Sequence, residues 1–428
     1  MKQSALRILR TLHDHGFPAL WVGGCVRDML MGKEPGDYDI VTSASPEDVR
    51  QIFRRTVPVG VQFGIILVVL KGQKFEVAQF RHATHSTHLE ALLRNDVSHR
   101  DFTINGMCYD PFADKVYDFV GGQEDLSAKR VRAIVNPLDR FREDRLRMLR
   151  AVRFAVSLGF SLDPATFTAI QTLAPEIVTV SAERIREEFL KIVVSPRPEQ
   201  GLRLLDKSQL LESVLPEVAA LKGVQQPPQF HPEGDVFTHT CLMLQHLKEN
   251  PSPELAMGVL LHDVGKVSTY TKTDRIRFHN HAHVGADMAH KICERFKFST
   301  ASQEKIVSLV RNHQIFTEVE SMKKSTLKRF LRQNHFADLL ELHRVDRLSS
   351  SRPLTSYHFC LEKLDEFQQE AIRPPQLLSG KDLIALDIQP GPIFKQILEY
   401  IEDAQLEGIV ATKQQAIELV EEIRHALG

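Results

Sequence analysis

The chain has 428 residues, a formal net charge of −1, and 43% hydrophobic and 25% charged residues, a composition typical of a water-soluble protein with about two to four domains. The near-zero charge excludes a global field that would attract nucleic acid, and the longest apolar run, Ile65–Leu70, is too short to span a membrane. The five cysteines are scattered without a Cys-x-x-Cys spacing, which favours free thiols in a reducing cytoplasm and argues against a cysteine zinc site.

Helix and strand signals alternate in the first section of the chain, to about residue 135. An apolar face formed by Leu6, Leu9 and Leu12 predicts an amphipathic helix within residues 1–16. A serine N-cap followed by proline opens another helix at Ser45. The predicted strands are residues 20–23, 37–42, 64–70 and 74–80, and the last two form a hairpin.

Two carboxylates on the second predicted strand carry the most specific chemical signal. Asp37 and Asp39 are two residues apart, so their side chains point to one face of the strand and repel each other unless a cation lies between them. Oxygen ligands of this kind suit Mg²⁺ bound to substrate phosphates, as in phosphoryl and nucleotidyl transfer. The alternative is an ordinary solvent-facing strand. Glu76, on the last predicted strand, either adds a third carboxylate or is an exposed strand residue.

A double glycine precedes this pair. Gly23 and Gly24 follow an apolar strand but form neither a dinucleotide-binding nor a P-loop motif. They free the backbone to approach a triphosphate closely, and Arg27 can reach a phosphate with its forked donors.

Helical periodicity dominates from Arg140 onward. Residues 142–158 are predicted to form one amphipathic helix, and residues 181–194 a helix capped by Ser181. Residues 129–153 hold nine basic and three acidic residues, which fits either a polyanionic substrate or a solvated helix face. Interdomain breaks are predicted at residues 225–229 and 373–375.

A second set of candidate ligands follows the first break. His239, the adjacent pair His262-Asp263 and the distant Asp346 offer nitrogen and oxygen ligands for a divalent transition metal. Adjacent residues cannot share one helix face, so the pair is expected at a helix end or kink, with Gly265 ending that helix. The same region contains His279, His281, His283 and His313. The alternative is a set of ordinary surface and core histidines.

Three blocks occur in order along the first half of the chain: Gly23-Gly24 through Asp39, Arg100–Met107 and Glu143–Phe154. Over residues 15–220 they resemble the bacterial-type (class II) tRNA nucleotidyltransferase and poly(A) polymerase family. His239, His262-Asp263 and Asp346 look like the HD phosphohydrolase domain that some members carry on the C-terminal side.

The resemblance implies an α+β fold. A polymerase-β-like nucleotidyltransferase head with a mixed sheet would be followed by an all-α neck and body and an all-α HD domain. The implied domains are a catalytic head at 1–138, a neck and body that binds the nucleotide base and tRNA at 139–224, an HD domain at 229–350 and a helical tail at 351–428.

The resemblance also implies a role for each matching residue. The catalytic acids would be Asp37, Asp39 and Glu76, of which Asp37 and Asp39 would hold Mg²⁺. The other nucleotide-binding residues would be Gly23, Gly24 and Arg27 for phosphates, Arg100, Asp101 and Asn105 for ribose and phosphates, and Arg150 and Arg153 for phosphate.

Asp144 and Arg147 would read the incoming base. They are three apart on the predicted helix and would share a face. Asp accepts from an exocyclic amine and Arg donates to ring acceptors, a pattern that suits cytosine and adenine.

Residues 82–99 are several residues shorter than the flexible loop of members that complete CCA. A shortened connection resembles the CC-adding subgroup, in which the missing loop is taken to prevent the switch from CTP to ATP. The alternative is a harmless deletion in a surface loop. We therefore favour CC addition from CTP to tRNA, with a separate A-adding enzyme as a partner and no membrane partner.

Other activities stay open. Full CCA addition, which also uses ATP, and poly(A) synthesis are rivals of the same class. A rival of another class makes the HD domain the main activity, as a phosphohydrolase dependent on Ni, Mn, Fe or Zn, with the first half only binding RNA. A non-catalytic RNA-binding protein is disfavoured by the intact Asp37 and Asp39 pair.

Overall fold

A computed structural model describes residues 1–60, 64–81, 88–350, 352–368 and 375–427. The chain forms two compact units, Met1–Ala219 and Ala220–Gly428. Within the described ranges, no helix is long and apolar enough to cross a membrane. The predicted break at 225–229 lies near the start of the second unit, and residues 373 and 374 lie outside the described residues. The finer division into four domains stays a prediction.

The first unit contains a mixed seven-stranded sheet, as predicted, with the strand order β3-β4-β5-β2-β1-β6-β7. Only β2 and β5 pair in parallel; the other neighbours are antiparallel. The strands are β1 (Ala19–Val22), β2 (Asp39–Thr42), β3 (Thr56–Gly60), β4 (Ile65–Leu70), β5 (Gln73–Gln79), β6 (Met107–Asp110) and β7 (Lys115–Asp118).

Helices cover both faces of the sheet and continue beyond it. They are α1 (Lys2–Asp14), α2 (Gly24–Leu30), α3 (Pro46–Ile52), α4 (Leu89–Ser98), α5 (Gly122–Ser127), α6 (Pro137–Glu143), α7 (Leu146–Leu158), α8 (Pro164–Leu173), α9 (Ala182–Val193), α10 (Pro198–Lys207), α11 (Leu210–Val214) and α12 (Pro216–Ala219). Two short strands, β8 (Arg130–Val131) and β9 (Ser161–Leu162), pair in parallel among the later helices.

The central strand β1 is buried on both faces, because its side chains alternate between two cores. Trp21 packs in the core that α1 covers, and Leu20 and Val22 pack in the core that α4 covers. Such a strand reads as a continuous apolar run. It fixes the position of Gly23, which follows it directly.

Most predicted elements of the first unit are confirmed. The amphipathic first helix is present as α1, β4 and β5 form the predicted hairpin, and Ser45 caps α3 in a capping box with Asp48. Ser181 stands at the N-cap of α9, although its side chain makes no capping hydrogen bond.

The prediction of one helix over residues 142–158 was wrong. The chain breaks at Asp144, whose backbone is extended (φ −149°, ψ 104°), so α6 ends before it and α7 begins after it. The Asp144 carboxylate accepts a hydrogen bond from the backbone N–H of Leu146 at 3.1 Å. Aspartate side chains compete with the helical backbone in this way, and periodicity alone does not register the competition.

The second unit is helical apart from one hairpin. Its elements are α13 (Val236–His246), α14 (Pro253–Leu261), α15 (Lys266–Thr269), β10 (Tyr270–Lys272), β11 (Ile276–Phe278), α16 (His281–Arg295), α17 (Thr300–Asn312), α18 (Lys324–Leu331), α19 (Phe336–Ser349), α20 (Thr355–Gln368), α21 (Gly380–Ala385), α22 (Pro392–Glu407) and α23 (Lys413–Leu427).

The pair His262-Asp263 lies at a helix end, as predicted, because α14 ends at Leu261 and His262 is its C-cap. Gly265 does not end that helix. It instead permits the close approach of α16, since a Cβ atom at this position would lie 2.2 Å from the carbonyl oxygen of His281.

Candidate active site and candidate metal centre

One cavity of the first unit gathers every first-unit residue predicted for the site except Glu76. It is lined by Gly23, Gly24, Arg27, Asp37, Asp39, Arg81, Arg100, Asp101, Asn105, Asp144, Leu146, Arg147, Arg150, Arg153, Phe154 and Arg184. Arg81, Leu146, Phe154 and Arg184 were not predicted. The predominance of arginine suits a polyanionic ligand.

Asp37 and Asp39 both face this cavity, on the opposite side of the chain from the buried Tyr38. Within the described part of the chain, neither carboxylate forms an ion pair. Burial, followed by the negative charges of Asp37 and Glu76, raises the pKa of Asp39 to about 6. Glu76 therefore lies near the pair, on the neighbouring strand β5, but it does not line the cavity. Clustered carboxylate oxygens without a countercharge of their own are a donor set that fits Mg²⁺.

Gly23 provides an open wall beside these acids. Its φ of +78° favours glycine, and a Cβ atom there would lie 3.6 Å from Nη1 of Arg100 and 3.9 Å from Oδ2 of Asp39. Arg27, on α2, donates from Nη1 to Oδ1 of Asn105 at 2.8 Å. Two residues from distant blocks of the sequence are thus joined at the cavity.

Asp96 was not predicted, and it holds Arg100 in place. This residue of α4 is only 1% exposed. Its carboxylate accepts from Nε of Arg100 at 2.9 Å and from the backbone N–H of Arg81 at 3.1 Å. Asp96 lies on α4, which is part of the connection between β5 and the block Arg100–Met107. The described part of this connection therefore supports the cavity wall. Residues 82–87 of that connection lie outside the described residues.

Asp101 and Arg150 form the closest ion pair on the cavity wall. Oδ2 of Asp101 accepts from Nε and Nη2 of Arg150 at 2.9 and 2.6 Å. Burial alone would raise the pKa of Asp101, but Arg150 and the donors from Phe102 and Asn105 hold it below its ordinary value. Asp101 is therefore ionised and fully engaged.

Asp144 and Arg147 both line the cavity, although they do not share a helix. Oδ2 of Asp144 accepts from Nη2 of Arg184 at 2.8 Å. Arg147 is anchored by donating to the carbonyl oxygens of Arg140 and His99, each at 3.0 Å. The ion pair between Asp144 and Arg184 is partly exposed, so the Asp144 carboxylate stays accessible to a competing hydrogen-bond donor.

The described part of the second unit forms three groups of ligand atoms that lie within 4.8 Å of one another: His239, His262 and Asp346; Asp263, His281 and His313; and His231, Glu233 and His239. The first group holds three of the four predicted ligands. Asp263 instead belongs with His281 and His313, which the sequence showed only as part of a histidine-rich region.

Three histidines of the cluster have the same tautomer. Nδ1 of His262, His281 and His313 lies 2.8, 2.9 and 2.7 Å from the carbonyl oxygen three residues upstream, so each Nδ1 carries the proton. The lone pair of each ring is then on Nε2. The buried Nε2 atoms of His262 and His281 lie 3.0 and 3.3 Å from the carboxylate oxygens of Asp263. With the proton on Nδ1, each of these contacts sets one acceptor against another, which a cation between them would relieve. Such donors fit a divalent metal ion.

His239 lies between two carboxylates. Its Nδ1 is 2.7 Å from Oε1 of Glu233 and its Nε2 is 3.1 Å from Oδ1 of Asp346. Burial would lower its pKa, but these two hydrogen bonds raise the pKa of His239 to about 9. Glu233 is thus the second carboxylate, besides Asp346, that orients the His239 ring. It was not predicted, because a single glutamate in a loop has no recognisable sequence pattern.

Comparison with known families gives three matches along the chain. Residues 19–132 match the Poly A polymerase head domain, residues 159–222 match the probable RNA and SrmB-binding site of polymerase A, and residues 236–366 match the HD domain. The order of these matches agrees with the resemblance drawn from the sequence.

Individual proteins are also similar. The A-adding tRNA nucleotidyltransferase of Deinococcus radiodurans is 31% identical over 420 residues, covering 93% of this chain and 94% of that protein. The CCA-adding enzyme of Enterococcus faecalis is 40% identical over 210 residues, covering 47% of this chain, so the chain spans about half (51%) of that relative's length. The crystal structure of Bacillus stearothermophilus CCA-adding enzyme in complex with CTP superposes with a TM-score of 0.75 at 27% identity, covering 99% of this chain and 98% of that chain.

Proposed function

The chain belongs to the tRNA nucleotidyltransferase family, and from this premise we propose that it transfers nucleotides from nucleoside triphosphates to the 3′ end of tRNA without a nucleic-acid template. The supporting observation is that Asp37, Asp39, a glycine backbone and several arginines line one cavity. In the reaction the 3′-oxygen forms a bond to the α-phosphorus and pyrophosphate leaves.

The residues of the cavity divide this work. Asp37 and Asp39 would hold Mg²⁺, which when bound neutralises the triphosphate and activates the attacking hydroxyl. Arg27 and Arg153 bind phosphates, and Gly23 lets the triphosphate approach the backbone. Catalysis then consists mainly of positioning and charge stabilisation.

Asp144 and Arg147 would select the base. Asp144 accepts from the exocyclic amine of cytosine, and Arg147 donates to the neighbouring ring acceptors. The incoming base competes with Arg184 for Asp144, because Arg184 already donates to it at 2.8 Å. Binding of the correct base therefore exchanges one charge-assisted hydrogen bond for another.

For specificity, we propose addition of two C residues from CTP. The short connection at residues 82–99 supports CC addition, and a separate enzyme would then add the terminal A in the same cytoplasm. Incubation of the protein with tRNA lacking CCA and with single labelled nucleotides, read at nucleotide resolution, tests this. Two added C residues and a stop support it; a following A from ATP indicates full CCA addition, and long A tails indicate poly(A) synthesis.

Replacing Asp96 with Asn is expected to raise KM for CTP about tenfold with a smaller change in kcat, because Arg100 loses its charged anchor. Steady-state kinetics measure the two constants separately. Glu90→Gln is the matched control on the same helix, since Glu90 is exposed and lies 3.7 Å from Lys115. An unchanged KM in Asp96→Asn would show that Asp96 does not position Arg100.

A second activity is favoured by the cluster in the second unit. We propose that this cluster holds a divalent transition metal (Ni, Mn, Fe or Zn) and hydrolyses phosphoesters. The buried Nε2 atoms of His262 and His281, which face the Asp263 carboxylate without a proton of their own, support a metal here. In this hydrolysis a water oxygen forms a bond to phosphorus and the ester oxygen leaves as an alcohol.

The variant His262→Ala/Asp263→Ala is expected to lose its transition metal and its phosphoester hydrolysis while nucleotide addition stays within about twofold of the wild type, since the two sites lie in different units. Mass spectrometric metal analysis and both activity assays measure this. His290→Ala is the control, because His290 is exposed. Retention of the metal in the double variant would rule out this ligand set.

A further inference from the structure

Two arginines on the wall of the second-unit cavity have buried Nε atoms with no acceptor among the described residues. Arg347 follows Asp346 on α19 and Arg352 lies shortly beyond the end of that helix; both line the cavity that also holds His262, Asp263 and His313. We propose that Arg347 and Arg352 form an anion site that binds the phosphate group of the molecule hydrolysed at the adjacent cluster. The inference rests on the proposed phosphohydrolase function.

The Nε atoms of both arginines are buried and lack a hydrogen-bond partner. Within the described ranges of the chain, neither guanidinium has a carboxylate within ion-pairing distance. A buried, unpaired guanidinium N–H is costly, because nothing replaces the water it loses. Two of them in one cavity therefore indicate a ligand that supplies the missing acceptors.

Other basic groups nearby are already engaged. Lys266 lies 2.6 Å from Oδ2 of Asp263 and donates to Oε1 of Gln226 at 2.7 Å. Arg344, one turn before Arg347 on α19, is paired with Glu341 at 2.6 Å. Of these four basic side chains, only Arg347 and Arg352 have a buried Nε atom that lacks an acceptor among the described residues.

Backbone and ring contacts position the two arginines of this cavity wall. The backbone N–H of Arg352 donates to the carbonyl oxygen of Arg347 at 2.9 Å, and the guanidinium of Arg352 lies 4.9 Å from the ring centroid of Phe230. Arg347 and Arg352 carry like charges that act on each other. An anion that binds both groups removes this repulsion.

The ligand chemistry follows from the donors. Guanidinium forks match the tetrahedral oxygens of a phosphate, and two cationic groups match a dianion better than a monocarboxylate. Asp346 and Arg347 are adjacent in sequence, so a phosphate bound here lies beside the ligand cluster.

Calorimetric titration of the full-length protein with inorganic phosphate tests the site, with metal content measured in parallel. We expect wild-type protein to bind phosphate and Arg347→Gln and Arg352→Gln each to weaken binding about tenfold or more, with unchanged metal content. Arg347→Lys keeps a charge at the position and is expected to bind with intermediate affinity. Arg311→Gln is the control, because Arg311 is half exposed and lies 3.7 Å from Asp287.

The outcomes separate the two proposals. Wild-type affinity in both glutamine variants, or no phosphate binding by metal-loaded wild-type protein, overturns the anion site and leaves the metal centre standing. Loss of metal in the glutamine variants also overturns it, since the arginines would then act through the cluster. A competition experiment then identifies the natural ligand. If a 3′-phosphorylated oligoribonucleotide displaces phosphate at a lower concentration than a mononucleotide does, the site binds an RNA end; if the mononucleotide displaces it at the lower concentration, the site binds a free nucleotide. Either result supports the site.

Discussion

Asp37→Asn and Asp39→Asn are each expected to reduce nucleotide addition about a thousandfold or more, a loss of ~4 kcal/mol of transition-state stabilisation. Both substitutions keep the side-chain size but remove a charged oxygen ligand from the cavity that the arginines line. Incorporation of labelled CMP into tRNA lacking CCA measures the effect. Hydrolysis of phosphoesters by the second unit is expected to persist, since its ligands are separate.

The control for this pair is Glu47→Gln, which removes an exposed carboxylate of the same unit that lies 3.5 Å from Arg50. It is expected to leave addition unchanged. If the combined variant Asp37→Asn/Asp39→Asn still added nucleotides at the wild-type rate, the proposed polymerase site would be in the wrong place.

Arg150→Met is expected to lower the free energy of unfolding of the first unit by about 3 kcal/mol, because it leaves the Asp101 carboxylate buried without its partner. This loss of about 3 kcal/mol is at the low end of the range for breaking a buried ion pair, because the Arg150 side chain is 34% exposed. Trp21 is the only tryptophan of the chain and is fully buried in this unit, so its fluorescence during urea denaturation follows the first unit alone.

The control for the second prediction is Arg145→Met. Arg145 pairs with Glu176 at 2.9 Å, and its side chain is about as exposed as that of Arg150 (32% against 34%), but Glu176 is far more exposed than Asp101 (43% against 9%), so the expected loss is below about 1 kcal/mol. Adding Asp101→Asn to Arg150→Met is expected to recover part of the lost stability. Equal losses in Arg150→Met and Arg145→Met would show that burial of Asp101 does not set the cost.

Local patterns predicted four of the seven strands of the sheet (β1, β2, β4 and β5), the hairpin, the first helix and the position of His262-Asp263 at a helix end. They did not predict β3, β6 or β7, and β2 begins at Asp39 rather than at residue 37. The matching blocks predicted 12 of the 16 residues that line the first cavity. The prediction was wrong at Asp144, where a single side-chain hydrogen bond to Leu146 breaks a pattern that is otherwise helical.

The remaining site residues depend on packing between distant segments. Arg184 reaches Asp144 from α9, 40 residues further along the chain. Asp96 is the exception, because it precedes Arg100 by four residues, a spacing that the sequence does show. His281 and His313 join Asp263 because α16 starts, and α17 ends, beside the same point. Residue spacing in a single sequence does not show which distant segments come into contact. The group of Asp263, His281 and His313 could therefore be identified only from the structure.

All five cysteines are free and buried, at positions distributed over both units. Burial raises the pKa of the thiols of Cys25 and Cys108 to about 12, which keeps both unreactive toward maleimides at neutral pH. A cysteine introduced at the exposed Glu90 would therefore be labelled selectively in otherwise native protein. A fluorophore there would report whether CTP, ATP or tRNA changes the surroundings of the segment that anchors Arg100.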